Sequence, residues 1–316
     1  MKQVFINLPS AGNFIEEEDG IMNKFKNFLA DAVSLKQEAK NRIKRYGLAV
    51  PIALIGLTVI FTAQAQDDAT KVTVFQAAGP NNASIDGTIT AFRAALGGDN
   101  NGITQPGGPI IAGGRREINW DGGNAANTTT SLTPTPVLDQ FLVGRGARFT
   151  TPGSGFVQAP PSGLAALDVF NNPSYATIFR AFSLSRLFSP IGSNVTDSLF
   201  FVPGTDDVKA VTRGFGVVFS DVDLPDGGDD PSPKQGGKRA STLIEFFGAD
   251  GELLFSSFAP ASPGDGNFSF LGVVFDDARI ARVRITTGAT PGVDDSAKRD
   301  VSMLDDFIYG EPKAIH

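Results

Sequence analysis

The side chains of this sequence best placed to do chemistry are aspartates. In Asp221-Val222-Asp223, which closes the apolar run beginning at Phe215, an extended backbone would send both carboxylates to the same face. Asp226, Asp229 and Asp230 follow just beyond. Oxygen ligands are therefore plentiful for calcium, which takes six to eight of them at about 2.4 Å. Asp305-Asp306 poses a different problem, because it sits inside the apolar stretch Met303-Leu304-Asp305-Asp306-Phe307-Ile308-Tyr309. Alternation along a strand puts one of the two acids on the buried face or its rim, where an unpaired charge costs several kcal/mol. Its compensation is either a metal ion or an arginine such as Arg213, Arg282 or Arg284. Asp221, Asp223, Asp305 and Asp306 are thus the candidate metal ligands, with calcium as the expected, structural cofactor. Hydrogen-bonded turns and salt bridges alone are the competing account. The pairs Asp67-Asp68, Asp206-Asp207, Asp276-Asp277 and Asp294-Asp295 fall in turns and read as solvated.

A second constellation is Arg115-Arg116-Glu117-Ile118-Asn119-Trp120-Asp121-Gly122, which holds the chain's sole tryptophan. As a ligand platform it would stack Trp120 on a sugar ring, with Arg116 and Asp121 as polar partners. The alternative is a strand whose tryptophan is core and whose charges pair with one another. Beyond position 66 the only other aromatic residues with a polar handle are Tyr175 and Tyr309, against 26 phenylalanines in the chain, a balance that reads as core filling. Glu117, Glu245 and Glu252 supply the carboxylates a glycan hydrolase would need in pairs. The glycine strings Gly144-Arg145-Gly146 and Gly153-Ser154-Gly155 lack the spacing and the lysine of a phosphate-cradling loop.

Composition narrows the chemistry further. Cysteine is absent and the only histidine is His316, which argues against thiol nucleophiles, disulfides, a histidine triad and histidine-ligated zinc. From Gln66 onward 19 Lys and Arg face 28 Asp and Glu, a balance of −9 that repels nucleic-acid phosphate, so no nucleic-acid partner is expected. Of those acids 24 are aspartate, the acid that caps turns rather than populating helices.

These residues must be held by short strands. Val, Ile and Phe runs alternate with Gly, Pro, Asn and Asp clusters, the pattern of an antiparallel sandwich. Strands are expected at 71–75, 85–90, 117–120, 147–150, 155–158, 177–183, 198–202, 215–222, 242–247, 252–258, 268–275, 279–286 and 301–309. Short helices fit around 90–96 or 162–169. Asp250-Gly251 between two apolar runs signals a hairpin. In Ile280-Ala281-Arg282-Val283-Arg284-Ile285 the alternation buries one face and sends the arginines outward.

Upstream lies an export leader. The uncharged apolar run from Gly47 to Phe61 follows Arg42, Lys44 and Arg45 and ends in Ala63-Gln64-Ala65, a small-x-small cleavage pattern. The run falls short of the roughly 20 residues that span a bilayer. Cleavage after Ala65 is the expectation, with an uncleaved anchor or a buried helix as the alternative. Residues 25–43 carry apolar positions at helical spacing and read as a long basic lead-in. The division is then 1–65, N-terminal extension and signal helix, and 66–316, one β-sandwich domain that is secreted, periplasmic or at the cell surface. Membrane contact would run only through the N-terminal segment.

The close Leu304-Asp305-Asp306-Phe307-Ile308-Tyr309-Gly310-Glu311-Pro312, with Phe270-Leu271-Gly272-Val273-Val274-Phe275 and Ile280 to Ile285, resembles the C-terminal half of bacterial exported jelly-roll proteins of the PEP-CTERM-associated type. The last strand is also similar to that of jelly-roll carbohydrate-binding modules, in which an aspartate helps hold a structural calcium. That resemblance implies a jelly-roll-like antiparallel β-sandwich and places the calcium role on Asp305 or Asp306. No sorting tail is expected, since only Lys-Ala-Ile-His follows Pro312. The reading is an all-β exported protein, non-catalytic and calcium-stabilised, that binds a polysaccharide or another envelope or matrix component. A structural or adhesive protein without a small ligand, and a glycan hydrolase using paired carboxylates, are the alternatives.

Overall fold

A computed structural model describes residues 71–122, 129–183, 185–224, 242–296 and 299–315, all within one compact unit, Gly56–His316. Residues 1–70, including the expected export leader, and Asp226, Asp229, Asp230 and His316 lie outside the described residues. In chain order the strands of the first half are β1 (Val72–Gly79), β2 (Arg115–Ile118), β3 (Ser131–Thr133), β4 (Val137–Leu138), β5 (Ala147–Thr150), β6 (Gly155–Ala159), β7 (Leu187–Ile191) and β8 (Val195–Phe200). Those of the second half are β9 (Ala210–Val211), β10 (Gly214–Ser220), β11 (Leu243–Phe247), β12 (Leu253–Phe258), β13 (Phe268–Phe275), β14 (Arg282–Thr286), β15 (Met303–Gly310) and β16 (Lys313–Ala314). The helices are α1 (Ala83–Leu96), α2 (Leu142–Arg145), α3 (Pro161–Ala165) and α4 (Tyr175–Ile178).

Two antiparallel sheets form the expected sandwich. The first runs β1-β13-β10-β15-β7-β6-β3 with β2 beside β15, and the second runs β12-β11-β14-β8-β5-β4. From β10 onward the chain crosses between sheets at every connection except the β11–β12 hairpin, which turns at Asp250-Gly251 as the sequence signals. Between the sheets lies a phenylalanine-rich core that includes Phe149, Phe188, Phe215, Phe246 and Phe307.

The outer faces explain the sequence patterns. Every residue of β10, β13 and β15 is buried. The first sheet is covered on both sides, so its central strands have no solvent face on which to alternate. Its outer side carries α1, whose Ile85, Ile89, Phe92 and Leu96 pack on Val218, Phe270 and Ile308. Leu164, Tyr175 and Phe179 cover Val157, Leu187 and Met303 farther along. The second sheet leaves its outer side wet, and β14 alternates there as expected. Val283 and Ile285 are buried, whereas Arg282 and Arg284 ion-pair with Asp197 of β8.

Two strand expectations are corrected. Residues 85–90 lie in α1, where the apolar positions repeat at helical spacing to cover the sheet. Residues 177–183 begin as the end of α4 and continue without regular structure. The sequence reading also lacks β7, which contains Pro190; it pairs β6 throughout but meets β15 only at Phe188 opposite Leu304.

Candidate metal centre

The site forms where β10 ends. Asp221 adopts a left-handed conformation (φ 71°), one that aspartate tolerates better than most residues. Its N–H donates to the Asn267 carbonyl at 2.8 Å, and the Ser262 N–H donates to the Val222 carbonyl at 2.7 Å. These bonds hold segment 221–224 against segment 262–267. Two glycine N–H groups of that neighbour donate to the acids, Gly264 to Asp223 Oδ1 at 2.8 Å and Gly266 to Asp221 Oδ1 at 3.2 Å. A third segment approaches just before β15. There the Val301 N–H donates to Asp295 Oδ1 and the Asp223 N–H donates to Asp300 Oδ1, both at 3.2 Å.

The result is a group of three acids, Asp221, Asp223 and Asp295, each offering a carboxylate oxygen within 4.8 Å of the others, with Asp300 bound to the same backbone. In all four, Oδ1 accepts a main-chain N–H. The Oδ2 atoms of Asp221 and Asp300 are buried with no hydrogen-bond partner, and both residues have 0% exposure. Among the described residues none of the four makes an ion pair.

Electrostatics follow from that crowding. Burial, then the charges of Asp223 and Asp295, pushes the Asp221 carboxyl up to about 9. Burial is also the largest cause of raising Asp300 to about 7 and of raising Asp295. Carboxyl groups in this state ask for protons or for a cation. Oxygen-only ligands suit a hard metal ion, and the three-aspartate group could hold one.

Asp221 and Asp223 converge as expected, but not by strand alternation, because the left-handed turn at Asp221 replaces the extended backbone. Their third partner is Asp295, which corrects its reading as a solvated turn residue. Asp305 and Asp306 belong elsewhere. They occupy a β-bulge in which both stand opposite Val218, between the pairs Val217↔Phe307 and Phe219↔Leu304. Both carboxylates meet the Ser183 hydroxyl, at 3.3 Å for Asp305 Oδ1 and 2.7 Å for Asp306 Oδ1. Asp305 Oδ2 also accepts the Phe182 N–H at 2.6 Å. Burial raises both carboxyls, with Asp306 the next cause for Asp305. Arg282 and Arg284 do not supply the compensation expected here, since both serve Asp197; the charge of Arg93 lowers the Asp306 carboxyl, but burial outweighs it.

The platform of Trp120, Arg116 and Asp121 is likewise corrected. Trp120 is 1% exposed, its ring stacked on Phe188 at 3.8 Å and edge-on to Phe307, and its Nε1–H donates to the Asp305 carbonyl at 2.8 Å. No ring face remains for a sugar. Arg116 is fully buried, with two hydrogen bonds of 2.6 Å to the Glu311 carboxylate and others to Gly102 O and Thr104 Oγ1. Asp121 accepts the N–H groups of Ser185 and Arg186. Glu117 lies between Arg93 and Arg115; burial would raise its carboxyl, but these two guanidinium groups outweigh that and hold it below the usual range.

Asp295 is the member of the group that sequence reasoning missed, and Asp300, which accepts the Asp223 N–H beside it, was not singled out either. A signal existed for Asp300, which sits immediately before an apolar strand just as Asp221 sits immediately after one. Comparison with protein families, with characterised proteins and with solved structures finds no match to this chain.

Proposed function

We propose that this chain is an exported, non-catalytic β-sandwich with a structural or adhesive role at the cell exterior, and that calcium is its stabilising ion. The observation that carries the reading is the Asp221–Asp223–Asp295 group, in which Asp221 is fully buried and its Oδ2 has no partner while Asp223 and Asp295 are half-buried. Its ligands come from segments far apart in sequence, so an ion there would cross-link the fold rather than present itself to a substrate. Calcium sites of extracellular modules work at millimolar ion, which fits the leader at 47–65. Burial of Trp120 takes away the stacking surface on which sugar binding leaned, and this favours the structural reading over a carbohydrate ligand. Glu117, held ionised by two arginines, is poorly suited to act as a general acid.

The test uses the full-length chain in calcium and in chelator. Calcium at about 100 times its dissociation constant should add about 2.7 kcal/mol and raise the melting temperature. A glycan array probed in calcium should retain nothing. An unchanged melt would remove calcium from the account, and a retained glycan would restore the carbohydrate reading.

A further inference from the structure

We infer that Asp305 and Asp306 are a proton-dependent clasp on the segment Arg180–Ser183, holding it to the first sheet while they share a proton and letting it go when that proton leaves. The Ser183 hydroxyl meets three carboxylates, Asp306 Oδ1 at 2.7 Å and Asp305 Oδ1 and Asp121 Oδ2 at 3.3 Å, yet it has one proton to donate. Asp305 is fully buried, Asp306 nearly so, and their carboxyls hydrogen-bond each other. Two carboxyls in that contact hold a proton between them, because two bare carboxylates there would be both desolvated and mutually repelled.

The segment depends on these acids. The Phe182 N–H donates to Asp305 Oδ2 at 2.6 Å, and no residue from 180 to 183 belongs to a strand ladder. Its remaining ties reach outward: Asn82 Nδ2 donates to the Phe182 carbonyl at 2.9 Å, Arg180 Nη2 to the Pro80 carbonyl at 2.6 Å, and the Arg180 N–H to the Ser220 hydroxyl at 2.9 Å. The Phe182 ring stands edge-on to Phe268, and the Arg180 guanidinium lies over the same ring at 4.5 Å. Release would therefore bare Phe268, an apolar side chain of β13 that is otherwise fully buried.

Few charges face the pair. Arg93 of α1 lowers Asp306 and Glu117 of β2 raises it, and these two are ion-paired with each other, with Arg115 on Glu117 as well. Asp121, which accepts the Ser185 and Arg186 N–H groups, adds to the rise of Asp305. Closed, the pair keeps a proton that an opened and hydrated pair gives up near the ordinary carboxylate value. Closure is thus complete below that value and weakens as pH climbs toward the closed-state one.

The test follows single-amide hydrogen exchange in the full-length chain by NMR, in chelator, from about pH 5 to about pH 8, each rate being divided by its intrinsic rate. The Phe182 opening constant should exceed that of Val273, which is paired on both sides within the first sheet, and should climb by up to about tenfold per pH unit. In Asp305→Asn the climb at Phe182 should vanish. If that variant fails to fold, Asp306→Asn, which also ends the sharing of a proton, is measured in its place. Opening at Phe182 that is flat with pH in the original chain would overturn the clasp. Equal opening constants at Phe182 and Val273 would overturn it too, by showing that the segment leaves only with the whole sheet, and so would a climb that persists in the variant.

Discussion

A carboxyl group buried without a counter-charge either keeps its proton or recruits a cation. Burial favours the first course at Asp305: it raises the carboxyl well above the ordinary range, Asp306 stands beside it, and the Phe182 N–H and the Ser183 hydroxyl serve its oxygens. A carboxyl raised in the folded state contributes stability that is complete below the unfolded value and lost as pH climbs toward the folded one. Compared in chelator from pH 4 to pH 8, the original chain should lose stability relative to Asp305→Asn, by at most about 1.4 kcal/mol per pH unit for one proton. The difference between the two proteins reports the coupled Asp305–Asp306 pair apart from the other buried acids, and a flat difference would show that the pair is not raised. Trp120 makes a second residue-scale case. Trp120→Phe keeps an aromatic ring against Phe188 but strips the Asp305 carbonyl of its donor, and should cost about 1–3 kcal/mol in urea unfolding.

At the scale of elements, α1 is seated by two glycines that face each other across the β10–β13 pair. An added Cβ at Gly272 would lie 2.7 Å from the Phe92 ring, and one at Gly216 would lie 2.8 Å from it. The sheet thus has a dip where its side chains are missing, and Phe92 fills it, edge-on to Phe75 and Phe270. Gly272→Ala should cost about 1–3 kcal/mol by overpacking, and Phe92→Ala about 3–5 kcal/mol through the cavity it leaves. Combined, the two should cost less than their sum, because the new methyl group enters the space the ring vacates. Additive losses would mean that Phe92 is not what the glycines accommodate. The bulge in β15 is the other element-scale device: a second residue opposite Val218 lets two acids meet one hydroxyl, which a regular strand would separate onto two faces.

Across the whole molecule, the last strands gather the chain. β15 pairs β10 on one side and shares its other edge between β2 and β7, and Glu311, just beyond it, meets the buried Arg116 of β2. Arg116 also bonds Gly102 O, Thr104 Oγ1 and Gly144 O, so this pair ties the 97–114 loop and the α2 turn to the C-terminal strand. Breaking a buried pair on one side strands the other charge, and Glu311→Gln should cost about 3–5 kcal/mol in calcium and in chelator alike. A loss seen only in chelator would instead couple this end of the sandwich to the metal centre.

Residue types and their local spacing were enough to indicate the strand-rich class, the hairpin at Asp250-Gly251 and the inward and outward faces of β14, because each is a relation between near neighbours along the chain; Asp221 and Asp223 meet through a left-handed turn rather than the extended backbone their spacing suggested. The helical period of Ile85, Ile89, Phe92 and Leu96 was present too, though Ile-Asp-Gly-Thr-Ile-Thr alternates locally like a strand. Tertiary structure alone decided that both tandem acids are buried, that Trp120 lies inside, that Asp295 joins acids more than seventy residues away, and that Asp300 bonds the backbone of one of them. The physical reason is that desolvation depends on everything packed around a group, and the layers that enclose these side chains come from parts of the chain that no local pattern relates.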